Sequence, residues 1–207
     1  MAKPFDATAK DLIEFRPLDW LRLVRFIGDD AELMDADLAT VTTDADRVFR
    51  ITTPVPYLAH IEAQVGRDGN LLMRLLRYNI LLRVRYAMPV ESAVVLLRRE
   101  ADMPSLTGTM SLAAAGLTNA ANAEPSLVFR YTVVRPWRIP VEELLSGGLA
   151  TLPLAPISDV PTSRLPEVVR TIDERLSRET TPDEARCLIS ASFILSGLVH
   201  PPQSVRE

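Results

Sequence analysis

The spacing of apolar positions marks out most of the elements. Leu12, Ile13 and Phe15 close an amphipathic stretch that predicts a helix over 5–15, with Asp6 at its N-cap. Asp6, Lys10 and Glu14 recur every four residues and stack on one face of it. Residues 18–27, with Trp20, Leu21, Leu23, Val24 and Phe26, predict a second short helix. Segments 38–42, 45–51 and 57–64 read as strands, the last two joined through Pro54-Val55-Pro56, and three strands in succession predict an antiparallel meander. Alternation puts Leu58, His60, Glu62 and Gln64 on one face of the third strand, with Ile61 and Ala63 on the other. Residues 70–86 form the clearest helix, with Asn70 as N-cap and a stop at Met88-Pro89. Arg74, Tyr78, Leu81 and Arg85 share one of its faces. The largely apolar run 90–97, broken only by Glu91 and Ser92, predicts a central, buried strand.

Farther along, 107–126 is rich in small and polar residues and reads as a loop, 127–134 as a half-exposed strand, and 141–146 as a short helix stopped by Gly147-Gly148. Segment 151–166 carries Pro153, Pro156, Pro161 and Pro166, which predicts an irregular linker wrapped over the core. Two helices, 165–178 and 182–199, close the chain, the second apolar enough to be buried. They are expected to pack back on the core or to form a homodimer contact. The expected organisation is a domain over 1–140 followed by a proline-rich linker and helical extension over 141–207.

Composition narrows the class. The chain has 207 residues, 47% hydrophobic and 24% charged, which suits a globular protein with a sizeable core. No apolar run approaches the ~20 residues that span a bilayer, and the first residues lack the apolar centre of a signal peptide. The single Cys187, read as a core residue of the last helix, excludes an internal disulfide and a cysteine zinc site, in keeping with a cytoplasmic protein. A Gly-rich phosphate loop, a serine elbow and a dinucleotide fingerprint are all missing, which leaves ATPase, esterase and NAD-dependent readings without support.

The net charge of -4 says little, but its distribution says more. Asp29, Asp30, Glu32, Asp35, Asp37, Asp44 and Asp46 crowd a stretch without Lys or Arg; Arg67, Arg74, Arg77, Arg83, Arg85, Arg98 and Arg99 then dominate the next. An acidic segment able to gather cations is thus followed by a basic one able to meet phosphates. Asp46 and Glu62, on neighbouring expected strands, are the minimum set of oxygen ligands for a hard divalent cation. Asp37 and Asp44 are alternatives for the first carboxylate, and acids at strand ends also commonly pair with arginine. His60 is a candidate ligand or base, or a satisfied structural histidine.

The order helix–strand–strand–strand–helix–strand, with acids on the second and third strands, resembles the PD-(D/E)XK nuclease superfamily. Within it, the chain is most similar to the recombination-promoting nucleases, the transposase-like Rpn family. Asp6-Ala-Thr-Ala-Lys10 matches the opening Asp-x-x-x-Lys of that family, Asp46 its strand aspartate, Glu62-Ala-Gln64 its Glu-x-Gln strand, and Arg74 with Tyr78 the Arg and Tyr of the next helix. The resemblance covers roughly residues 4–140. It implies an α/β, restriction-endonuclease-like mixed sheet flanked by helices, with a C-terminal helical extension beyond it. It also implies DNA as partner, no membrane, and Mg²⁺ or Mn²⁺ held by Asp46 and Glu62 for phosphodiester hydrolysis. Asp46, Glu62, Gln64 and Lys10 become the expected catalytic set, and Arg74, Arg77 and Tyr78 the expected nucleic-acid contacts. Gln64 stands where the wider superfamily has lysine. With only Lys3 and Lys10 in the chain, Lys10 is the expected replacement cation. The alternative reading is a non-catalytic relative that binds or regulates.

Overall fold

The computed structural model describes residues 3–34, 47–113 and 125–200. Helices α1 (Lys3–Phe15) and α2 (Pro17–Leu23) precede strands β1 (Glu32–Leu33), β2 (Arg47–Ile51) and β3 (Tyr57–Gln64). Helix α3 (Leu71–Tyr86) then leads to β4 (Val90–Leu96), β5 (Thr109–Leu112), β6 (Leu127–Arg130) and β7 (Thr132–Val134). Helix α4 (Val141–Ser146), a 3₁₀ segment at Leu149–Ile157, and helices α5 (Leu165–Glu179) and α6 (Pro182–Ser196) complete the chain. The architecture is mixed α/β, with helices flanking a five-stranded sheet of order β1-β2-β3-β4-β7; β5 and β6 form a separate two-stranded ribbon.

The meander is antiparallel, β1 on β2 and β2 on β3, while β4 is parallel to β3 and β7 parallel to β4. Its first strand lies at Glu32–Leu33; the strand expected over 38–42 falls outside the described residues, as do Asp37, Asp44 and Asp46. The parallel step from β3 to β4 needs a crossover, and α3 supplies it. Covered on both faces, β4 leaves only Glu91 exposed, which is why its sequence reads as a largely apolar run.

The two sheet faces have separate cores. Ala59, Ile61, Ala93, Val95 and Leu97 face a cluster that includes Ile13 of α1 and Trp20 of α2. On the opposite face, Val94 and Leu96 pack with Leu71 and Leu75 of α3, and Leu58 and Val90 with Leu82 of the same helix. Helix α1 starts at Lys3, so Asp6 lies within its first turns and not at the expected N-cap. Asn70 likewise makes no side-chain cap on α3; the Asp68 carboxylate accepts the Asn70 N–H instead, at 2.8 Å. At the other end of α3, Ala87 takes the left-handed conformation (φ 50°) that turns the chain ahead of Met88-Pro89.

Four further expectations are corrected. The stretch 107–126 contains β5, which pairs with β6, and the segment expected as one strand over 127–134 divides at Tyr131 between two sheets. Cys187 is exposed on α6. The first half of the proline-bearing stretch is not an irregular linker: Leu149–Ile157 is a 3₁₀ segment with all nine residues buried, whereas Pro161 and Pro166 are exposed. Burying backbone requires every N–H to find an acceptor. Pro153 and Pro156 have none to satisfy, and Ala150 N–H donates to Asp19 Oδ2 at 3.0 Å.

That last bond brings α2 against the start of the segment, and Gly148 leaves room for it. A Cβ on Gly148 would overlap the Cγ and Cβ of Asp19. Gly148→Ala is therefore expected to destabilise the protein by about 2–3 kcal/mol, lowering Tm by about 5–10 °C. Asp19→Ala in the same chain should return part of that loss in a thermal melt. Purely additive losses would mean that the close approach is not the cause.

Candidate active site

Strand β3 carries the site residues in the register that alternation predicts. Opposite it, β2 places Arg47 on Ile61 and Val48 on His60. Glu62 and Gln64 point toward α3, where Arg74 reaches both. Arg74 Nη2 donates to Glu62 Oε1 and, at 3.2 Å, to Gln64 Oε1, while Nη1 donates to Asp68 Oδ2. The amide of Gln64 is held at its other end as well, Nε2 donating to Gly66 O at 2.6 Å. Glu62 is 4% exposed and the Arg74 side chain 31%. A buried carboxylate is costly without a counter-charge, and Arg74 provides one.

Below this pair the polar residues continue into the core. His60 is fully buried, its Nδ1 lies 3.3 Å from Ser92 Oγ, and its ring meets Tyr78 edge-on with centroids 5.7 Å apart. Asn79 Nδ2 donates to Ser92 Oγ and to Val90 O, both at 3.0 Å, and Asn79 Oδ1 accepts from Arg83 Nε at 2.8 Å. These bonds lock α3 onto β3 and β4 one to two turns beyond Arg74, and so help set where Arg74 lies along β3.

The expected residues are thus distributed unequally. Glu62, Gln64, Arg74 and Tyr78 come together between β3 and α3; Arg77 is exposed on α3. Lys10 is half-exposed on α1, the helix that packs against the opposite sheet face. Glu14, on the same face of α1 as Lys10, pairs with Arg47 at the start of β2, so this side of α1 reaches the strand end that follows Asp46. Asp46 itself lies outside the described residues. Asp68 was not singled out in the sequence, although an acid just ahead of a helix of arginines is the available signal.

The donor chemistry can be set against a hard divalent cation. Glu62 and Gln64 offer oxygen donors two residues apart on one strand face, which suits Mg²⁺ or Mn²⁺. Among the described residues there is no group of three or more His, Cys, Asp and Glu side chains able to hold a metal. Asp46, the second carboxylate expected from the sequence, lies outside the described residues, as do its alternatives Asp37 and Asp44.

The fold defines a mixed α/β protein, a five-stranded mixed sheet flanked by helices. Among the described residues no helix is long and apolar enough to cross a membrane. No protein-family model, curated protein or solved structure matches the chain.

Proposed function

We propose that this chain is a divalent-metal-dependent DNA endonuclease with a restriction-endonuclease-like core, related to the recombination-promoting nucleases and acting in recombination, mobile-element or defence biology. The observation that carries the reading is the position of Glu62 and Gln64 at the end of β3 in the order α1, antiparallel β1–β2–β3, α3, parallel β4. Asp46, which the resemblance pairs with Glu62, precedes β2 in the sequence and lies outside the described residues.

Glu62 and Asp46 would hold the cation. Mg²⁺ or Mn²⁺ there supplies polarisation of a phosphoryl oxygen and a lowered pKa for the attacking water. Gln64, its amide fixed by Arg74 and Gly66, orients that water by hydrogen bonding and brings no positive charge. Lys10 is the cation that the resemblance offers, but it sits on α1, which packs against the opposite sheet face, so this reading gives it no contact with Glu62; exposed Arg77 would meet the DNA backbone. Tyr78 packs edge-on against His60 on the α3 side of the site. A second reading, a nuclease-fold protein that binds without turnover, draws on the same Arg74–Glu62 pair, because a carboxylate already neutralised by arginine does not need a metal.

Supercoiled plasmid incubated with the protein across Mg²⁺ and Mn²⁺ concentrations separates the two. Nicking that appears with the metal and vanishes with chelator is the expected result. Gln64→Ala should lower the rate by about tenfold, less than either carboxylate change, because solvent water replaces part of the amide's hydrogen bonding. A Gln64→Ala loss as complete as that of Glu62→Ala would contradict a purely orienting role.

A further inference from the structure

Helix α3 turns one face to the sheet and leaves the opposite face exposed. Leu71, Leu75, Leu76, Asn79 and Leu82 are buried. On the far side, Met73, Arg77, Ile80 and Val84 follow at steps of four, three and four residues, which lines them up along the helix. Met73 is 52% exposed, Ile80 43% and Val84 77%. The stripe runs for about 16 Å along the axis, some three turns. Three large apolar side chains in one row at this spacing have the form of a helix-pairing seam, not of the single apolar residues scattered over any surface.

The charges on α3 narrow what fits there. Its sequence holds Arg74, Arg77, Arg83 and Arg85 and no acid. Arg74 is engaged by Glu62 and Asp68, and Arg83 by Asn79 and the Val90 carbonyl, while Arg85 lies over the Tyr86 ring. Arg77, exposed and inside the stripe, has no ion-pair partner among the described residues. It stands between Met73 on one side and Ile80 and Val84 on the other, and that position discriminates among occupants. A second copy docked about a two-fold axis across the stripe would bring Arg77 against its own counterpart, like charge on like. A lipid surface could reach the apolar residues only by drawing the guanidinium between them below the headgroups. Duplex DNA would satisfy Arg77 and leave three apolar side chains against phosphate and water.

We infer that the outer face of α3 docks an amphipathic helix of a partner protein, whose apolar seam carries one Asp or Glu near its middle to meet Arg77. The apolar contacts supply affinity, and the central carboxylate, desolvated on docking, fixes the register. The inference does not depend on the metal-dependent reading. Because both draw on Arg77, a helix seated here excludes a DNA contact at that residue.

The probe is a fluorescein-labelled peptide of about 20 residues, long enough to be helical in water, with leucines and one central glutamate in a seam of the same spacing. Its control is the isomer in which that glutamate trades places with a glutamine on the polar face, so composition and net charge are equal. Fluorescence anisotropy with the wild-type chain should show saturable binding of the seam-glutamate peptide, about tenfold tighter than the control. Arg77→Glu should abolish that preference and bind instead a peptide with lysine at the seam centre. Val84→Asp, at the most exposed position of the stripe, should weaken the seam-glutamate peptide about tenfold. Met73→Asp is the second variant, and circular dichroism confirms that each remains folded. Equal binding of the two isomers, no binding of the seam-glutamate peptide at millimolar protein, or undiminished binding by both folded aspartate variants overturns the inference. Two rival occupants are read in the same series. Sedimentation that finds a wild-type dimer dissociated by Val84→Asp assigns the face to a second copy. Co-sedimentation with phosphatidylglycerol vesicles that Val84→Asp abolishes assigns it to a membrane, and either result overturns the partner helix.

Discussion

Glu62→Gln is expected to abolish the proposed metal-dependent nicking of supercoiled plasmid, with a rate loss of about 10³-fold or more, and to leave the protein folded. The exchange keeps shape and one oxygen but replaces a carboxylate with a neutral amide, a far weaker ligand for a hard dication. Asp46→Asn is expected to behave alike, since either change removes half of the anionic ligand set proposed above. The folding cost is small for a particular reason: Arg74, the partner left behind, keeps Asp68 and is itself partly solvated. The melting temperature of Glu62→Gln should accordingly stay within about 1 kcal/mol of wild type when converted to stability. Undiminished cutting by Glu62→Gln would remove Glu62 from the site. A wild type that neither cuts nor binds Mn²⁺ would favour the binding-protein reading.

A chain ending at Val160 is expected not to fold cooperatively. Val168, Ile172 and Leu176 of α5 and Leu188 and Leu195 of α6 are all buried in the cluster that holds Ile13, Trp20 and Ile61. Each contributes about 2 kcal/mol of burial, and together about 10 kcal/mol, which equals a typical domain's whole stability. The truncation also uncovers the 3₁₀ segment Leu149–Ile157, nine residues that lack any charge. Circular dichroism and sedimentation should find a non-cooperative melt and aggregation at micromolar protein. A soluble truncation with a sharp unfolding transition would show instead that the sheet and α1–α3 suffice, with α5 and α6 as an appendage.

Local patterns carried much of the fold. The period of two in 57–64 put Glu62 and Gln64 on one face, and the structure keeps them there because β3 is flanked on both sides, so its register cannot slip without exchanging core and polar faces. The helix over 70–86 and the buried strand after it were equally legible from apolar spacing and from the stop at Met88-Pro89. The proline-rich stretch was not. Prolines argue against α-helix by removing donors, and the same missing donors make Leu149–Ile157 inexpensive to bury. Tyr131, where one apparent strand passes from the β5 ribbon to β4, has no local marker either.

By itself, then, the sequence determined which residues alternate, where helices stop, and that acids precede a basic helix; each of these depends on neighbours within a few positions of the same segment. Only the tertiary structure decided what the charges meet. Arg74, expected to face DNA, is turned onto Glu62, Gln64 and Asp68 because α3 is locked over β3 by Asn79, Ser92 and His60. Asp19 reaches Ala150 across 131 positions of chain, and Gly148 exists to let it pass. Contacts of this kind have no period and no motif. They arise when a buried carboxylate or a buried N–H must find a partner, and which partner is near is settled by how the elements pack.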